Sequence, residues 1–264
     1  MVLAVVTGCG GPMQDGRRAM ARGDFEVAAR AFRRATTEQP DDPAPWLALG
    51  RAEMAAERFG EAREALSRAA VLRPRAVLPR VLLGHAWELS RRYDEALLAY
   101  QQAVEVAPRS AYAHRVLGTR LLRWGRPVEA VDPLARAVEL DPAHAETWNA
   151  LGMARYHADD RAGAEGAFRD GIARHPSHPG LRLGLAALLV NARRFAEALA
   201  EYDALLARVP TFAPAHVARG ILLHELGRED EAEAAFVRAA EVAQDRPRFQ
   251  RRLEEYRALR RRAD

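Results

Sequence analysis

The amino-acid sequence predicts an all-α fold: a run of antiparallel helix pairs closed by one extra helix at the C-terminal end. Three observations predict it. The composition is rich in Ala, Leu, Glu and Arg, which are good helix formers, and aromatics make up only 7%. Apolar residues recur three or four apart, the spacing of amphipathic helices. The whole pattern then returns every 34 residues.

The period is carried by several columns. Alanine stands at Ala28, Ala62, Ala96, Ala130, Ala164, Ala198 and Ala232, and four residues later comes a large apolar or aromatic residue, at Phe32, Leu66, Tyr100, Leu134, Phe168, Tyr202 and Phe236. A small residue occupies Gly50, Gly84, Gly118, Gly152, Ala186 and Gly220. Small residues in the Gly50 and Ala62 columns let two helix axes approach, and the Phe32 column fills the space beside them. Proline at Pro40, Pro74, Pro108, Pro142, Pro176 and Pro210 cannot continue a helix interior and closes each unit.

Element by element, residues 13–42 give a first pair with a shortened first helix. Six full pairs follow at 43–76, 77–110, 111–144, 145–178, 179–212 and 213–246. Arg58-Phe59, Arg92-Tyr93 and Gly125-Arg126 mark tight turns between the helices of a pair. Pro133 is expected to bend the second helix of its unit. The unit at 145–178 is expected to be the softest, with Arg155 and Arg161 at apolar positions and Gly163, Gly166 and Gly171 in its second helix. The first aromatic column reads Trp46, Arg80, His114, then Trp148, Arg182, His216, which suggests a block of three units. Residues 247–264 form a capping helix and basic tail, with Phe249, Leu253, Tyr256 and Leu259 on one face.

"WLALGRAEMAAERFGEAREALSRAAVLRP" (46–74) and "WNALGMARYHADDRAGAEGAFRDGIARHP" (148–176) resemble tetratricopeptide repeats. The resemblance spans nearly the whole chain past residue 12. It implies a right-handed α-solenoid with a concave groove lined by the first helix of each unit, and a non-enzymatic scaffold that binds peptides or other proteins there. Carried over residue by residue, it places Arg51, His85, Tyr112, Arg115, Arg123, Asn149, Tyr156 and His157 at contact positions, together with Glu146, Met153, Leu183, Ala187, Asn191 and Ile221. The middle of such a groove is cationic and aromatic, suited to peptides of some acidic character, and its C-terminal third is more apolar. The family's lysine/asparagine clamp for terminal carboxylates is not matched, because lysine is absent and Asn149 is isolated.

The composition excludes other classes of function. All 40 basic residues are arginine, so there is no phosphate-loop lysine, Schiff base or lysine general base. One cysteine excludes an internal disulfide and a multi-cysteine zinc site. His175 and His178 lack a third ligand at metal spacing, and Asp159-Asp160 lack the glycine and glutamate of a calcium loop. Four serines stand outside any nucleophile-elbow context. The reading is therefore of no enzyme, no cofactor and no metal. A net charge of +4 with interleaved signs gives no nucleic-acid stripe.

Residues 1–12 lie outside the repeat register and read as a tether. "VTGC", Val6 to Cys9, resembles the lipobox of bacterial lipoproteins, with an apolar stretch before it and Gly10, Gly11 and Pro12 after. Too few residues precede Cys9 for a full export signal, and none of them is basic, so either its start lies upstream of Met1, which is the expectation, or the match is accidental. The expectation is lipidation at Cys9 and a place in a bacterial cell envelope, with the membrane met only through that anchor. Lipid-anchored tetratricopeptide proteins include pilus-assembly and outer-membrane assembly components. The alternative is a soluble cytoplasmic adaptor, co-chaperone or regulator.

Overall fold

The computed structural model describes residues 11–263, and the side chains of Leu259 and of 261–263 lie outside what it describes. Cys9 and the lipobox are likewise outside the described residues. Among the described residues there are fifteen α-helices and no strand. No described helix is long and apolar enough to cross a membrane. The chain divides into two compact units, 1–117 and 118–264, and the division falls within a helix.

The first unit holds the pairs α1 (Pro12–Arg22) and α2 (Phe25–Glu38), α3 (Pro43–Ala55) and α4 (Phe59–Leu72), and α5 (Val77–Leu89) and α6 (Tyr93–Val106). It also holds the start of α7 (Ala111–Arg123). The second contains the rest of α7 and α8 (Pro127–Leu140), then α9 (Ala145–His157) with α10 (Arg161–Arg174). The pairs α11 (Pro179–Asn191) with α12 (Phe195–Arg208), and α13 (Ala213–Glu225) with α14 (Glu229–Val242), lead to α15 (Arg246–Ala263). From α3 to α14 the lengths alternate between 13 and 14 residues. At 11 residues α1 is shorter, and it begins at Pro12, inside the stretch read as a tether. Pro133 does not end α8, which runs its full 14 residues.

Close approach of the paired helices explains the glycine column. A Cβ added at Gly84 would lie 2.6 Å from the ring of Tyr100, and one at Gly152 would lie 2.6 Å from the ring of Phe168. Such contacts leave no room for any side chain, so the large residue of the second helix sits directly over the backbone of the first. Gly16 plays the same part against Phe32. It lies one period before Gly50 and extends that column into the first pair.

Each tight turn is made by one left-handed residue. Gly23, Glu57, Arg91, Gly125, Asp159, Arg193 and Gly227 have φ between 57° and 78° and stand 34 apart. In the second of these turns Arg58 N–H donates to the Glu53 carbonyl at 2.8 Å and Glu57 N–H to the Met54 carbonyl at 3.1 Å, the Schellman pattern. Four of the seven positions therefore hold a residue with a Cβ where glycine is the easier choice.

The first aromatic column has a local purpose. Trp46 donates its ring N–H to the Pro40 carbonyl at 2.8 Å, and Trp148 donates to Pro142 at 3.0 Å. His114 and His216 make the same bond through Nε2 to Pro108 and Pro210, each at 2.9 Å. A ring donor thus ties the start of the first helix to the inter-repeat turn, and at Pro142 the His175 Nε2 adds a second contact at 3.1 Å. Burial pushes the His216 pKa below its ordinary 6.5, helped by the charges of Arg238 and Arg219, while the Pro210 bond pushes the other way. A depressed histidine pKa makes stability complete above about pH 6.5 and progressively lost as pH falls below it. His216→Trp keeps the donor and removes the titration. We expect its melting temperature to fall less than that of the wild type between pH 7.5 and pH 5.5, measured by circular dichroism.

In the unit around α9 and α10 the irregular residues are partly compensated. Arg155 donates to the Gly163 carbonyl at 3.0 Å, and the Asp160 carboxylate caps α10 by accepting from Gly163 N–H at 2.9 Å. A Cβ at Gly171 would meet Leu181 at 2.7 Å and Trp148 at 2.8 Å, so that glycine lets α9 and α11 close over α10. Gly166 alone has open space around it. Gly166→Ala is expected to stabilise this region by about 0.8–1 kcal/mol, seen as slower hydrogen exchange in α10.

The C-terminal helix buries its apolar face on α14. Tyr256 is buried, its ring stacked on Phe236 at 4.7 Å and its hydroxyl donating to the Glu229 carboxylate at 2.7 Å. Burial, then the Glu229 contact, pushes the phenol pKa up to about 12. Arg257 and Arg260 pair with Glu233 at 2.8 and 3.0 Å, and Arg260 with Asp230 at 3.1 Å. These ion pairs flank the buried Tyr256 contact that seats the cap.

Candidate functional site

In the second unit the first helices of successive pairs leave a cleft of about 350 Å³ between α9 and α11. Asn149, Met153, Tyr156 and His157 line it from α9; these stand at i, i+4, i+7 and i+8, one face of a helix. From α11 come Gly180, Leu183, Gly184, Ala187, Leu188 and Asn191. The ring of Phe168 forms part of the floor. On the α11 side the wall is low, since Gly180 and Gly184 carry no side chain and Ala187 only a methyl. At Gly184 an added Cβ would lie 2.5 Å from the Phe168 ring.

Polar groups in this cleft are few and defined. Asn191 Nδ2 donates to the Tyr156 hydroxyl at 2.7 Å, a bond that ties α9 to α11 across the cleft. The Tyr156 and His157 rings meet edge to face at 5.3 Å. Met153 is exposed and Asn149 half-buried beside it, with Nδ2 3.9 Å from the thioether sulfur. An apolar trough with two carboxamides and a phenol suits a peptide: carboxamides pair with a backbone N–H and C=O at once, and the trough takes a side chain. Above it, the Glu146 carboxylate is held below the usual range by its own backbone N–H, then by His178 at 3.5 Å.

A second concavity of about 250 Å³ follows between α11 and α13. It shares Ala187 and Asn191 with the first and adds Val190, Ala218 and Ile221. A third cleft, of about 350 Å³, lies in the first unit between α1 and α3 and includes Arg51.

Of the eight residues predicted from the sequence, Asn149, Tyr156 and His157 are brought together in one cleft, and Arg51 lies in another. Tyr112 is exposed, with the Arg115 guanidinium 5.4 Å from its ring centre. Neither these two nor His85 or Arg123 lines the α9–α11 cleft, and no arginine does. The α1 side of the third cleft, Met13, Arg17 and Met20, stands outside the residues expected from the sequence, where 13–42 reads as a pair with a shortened first helix. The signal was present: these residues lie 34 before Leu47, Arg51 and Met54. No group of three or more His, Cys, Asp or Glu able to hold a metal occurs among the described residues.

Models of the tetratricopeptide repeat match residues 14–77, 85–145 and 125–179, and a second model of that description matches 155–219 and 192–255. The chain belongs to the tetratricopeptide repeat family. No curated protein matches it in sequence. Solved structures of similar fold include YrrB, described as a tetratricopeptide repeat protein with an unusual peptide-binding site. It is 22% identical with a TM-score of 0.59, over 73% of this chain and 99% of that one. PilF of Pseudomonas aeruginosa is 19% identical with a TM-score of 0.60, over 81% and 97%. The C-terminal part of a tetratricopeptide repeat protein from Cytophaga hutchinsonii is 12% identical with a TM-score of 0.71, over 90% and 97%. At these identities the likeness is one of fold: an all-α repeat solenoid. Tetratricopeptide repeats serve as protein–protein interaction scaffolds and are generally non-enzymatic.

Proposed function

We propose that this tetratricopeptide protein is a scaffold that holds an extended peptide segment of a partner protein in the α9–α11 cleft. The observation that carries this reading is the cleft's composition, an apolar trough edged by Asn149, Asn191 and Tyr156. The fold neighbour YrrB, named for a peptide-binding site, supports the class of ligand. The partner's apolar side chain rests on Met153 and Leu183, and its backbone pairs with the carboxamides.

Ala187 is exposed, so a large residue there fills the cleft without entering the core. Peptides selected from a displayed random library on the purified protein are expected to lose at least tenfold in affinity with Ala187→Trp, at an unchanged melting temperature. Selected peptides that bind Ala187→Trp as tightly as the wild type would place the site elsewhere.

Lipidation at Cys9 and a place in the cell envelope are a second proposal, resting on the VTGC sequence. Metabolic palmitate labelling is expected in the wild type and absent in Cys9→Ala. Equal labelling, or none in either, contradicts it.

A further inference from the structure

We propose that the α11–α13 concavity is an arginine subsite: it takes the side chain of an arginine that stands, in the bound segment, beside the apolar residue held in the α9–α11 cleft. The proposal rests on that reading of the α9–α11 cleft, because the two concavities share Ala187 and Asn191. Val190, Ala218 and Ile221 give the subsite apolar walls, and Glu225, the last residue of α13, brings a carboxylate. Glu225 is exposed and makes no ion pair among the described residues. No arginine or histidine lines the concavity. The methylenes of an arginine lie along apolar surface while its guanidinium meets the carboxylate.

Tyr202 points to the same ligand independently. It lines the concavity from α12 and is 4% exposed, yet its hydroxyl makes no hydrogen bond among the described residues. Tyr100 holds the same column, and its hydroxyl donates to the Glu88 carboxylate at 3.0 Å. The residue in the Glu88 column beside Tyr202 is Val190, so Tyr202 lacks that partner. Burial, then the Glu225 charge, pushes the Tyr202 phenol above its ordinary value, so it keeps its proton and its oxygen is left to accept. Asn191 uses Nδ2 on the Tyr156 hydroxyl, which leaves its carbonyl oxygen to accept as well. Acceptors thus come from α11, α12 and α13. A guanidinium spreads its donors along a planar fork and meets more of them than a compact ammonium does. This preference is opposite in sign to the acidic peptide expected from Arg115 and Arg123, which lie on α7.

The test selects peptides from a displayed random library on the full chain and, in parallel, on Glu225→Gln. The wild-type pool is expected to be enriched in arginine at one fixed distance from an apolar residue, and the Glu225→Gln pool in the apolar residue alone. A peptide from the first pool is then remade with citrulline, which keeps the shape of arginine without its charge, and with lysine. In fluorescence anisotropy, citrulline should weaken binding about tenfold on the wild type and less than about twofold on Glu225→Gln, with lysine between arginine and citrulline. Tyr202→Phe should weaken the arginine peptide about threefold at an unchanged melting temperature, because that hydroxyl has no partner in the fold. A wild-type pool without arginine preference, or a citrulline loss equal on the wild type and Glu225→Gln, would overturn the subsite. If that pool still loses binding with Ala187→Trp, the α9–α11 reading stands. Arginine-dependent binding that is lost with Glu225→Gln but indifferent to Met153→Ala supports the subsite and contradicts the α9–α11 reading.

Discussion

Replacing Arg33 and Arg58 together by alanine is expected to destabilise the first unit by about 3 kcal/mol. Glu53 sits in α3 with its side chain fully buried. Arg33 Nη2, from α2, donates to one carboxylate oxygen at 2.6 Å, and Arg58 Nε, from the turn, to the other at 2.5 Å. The Glu53 bond in turn holds the Arg58 pKa above its ordinary value. Breaking a buried pair costs about 3–5 kcal/mol because the remaining charge is stranded. The lower figure applies here because both arginines retain partial contact with water. Removing the carboxylate should behave oppositely. Of the positions one or more repeats away, Ala19, Trp87, Leu121, Leu189 and Leu223 are apolar and Arg155 alone is charged, so Glu53→Leu restores the apolar pattern and is expected to be neutral or stabilising. Native-state hydrogen exchange of the α2–α4 amides reads both effects locally. A Glu53→Leu variant as unstable as Arg33→Ala/Arg58→Ala would show that the ion pair itself holds the fold.

Phe168→Ala is expected to cost about 4–5 kcal/mol in the second unit, at the upper end for loss of a buried aromatic. The ring is 2% exposed and lies against two glycines, Gly152 in its own pair and Gly184 in the next. Neither neighbour has a side chain that could move into the void, so the cavity persists. The substitution also removes part of the floor of the α9–α11 cleft, and peptide affinity should fall with stability. Circular dichroism melting and hydrogen exchange of α9–α11 measure the first effect. A loss below about 1.5 kcal/mol would mean that the helices close over the gap.

The sequence made the repeat legible because stacking needs particular residue sizes at fixed intervals. Gly84 and Gly152 had to be small, and Tyr100 and Phe168 large, whatever the protein binds. The same column logic explains the Trp46 and Trp148 ring bonds, although their target, the proline carbonyl, shows only in three dimensions. Groove chemistry was less legible. Asn149 and Tyr156 share a cleft, but Gly180 and Gly184 of its α11 wall stand outside the glycine column that marks close approach, so the repeat pattern does not point to them. Nothing in the sequence marks Glu53, because its partners lie 20 residues before it and five after, across two helix junctions.

The chain has five methionines, and Met153 is the one that lines the α9–α11 cleft. Methyl NMR of protein carrying ¹³C-labelled methionine, titrated with a peptide selected on the wild type, therefore reads occupancy of that cleft. The Met153 resonance is expected to move in step with binding, Met54 to stay fixed, and Ala187→Trp to abolish the shift. A saturating titration in which Met153 does not move would contradict it.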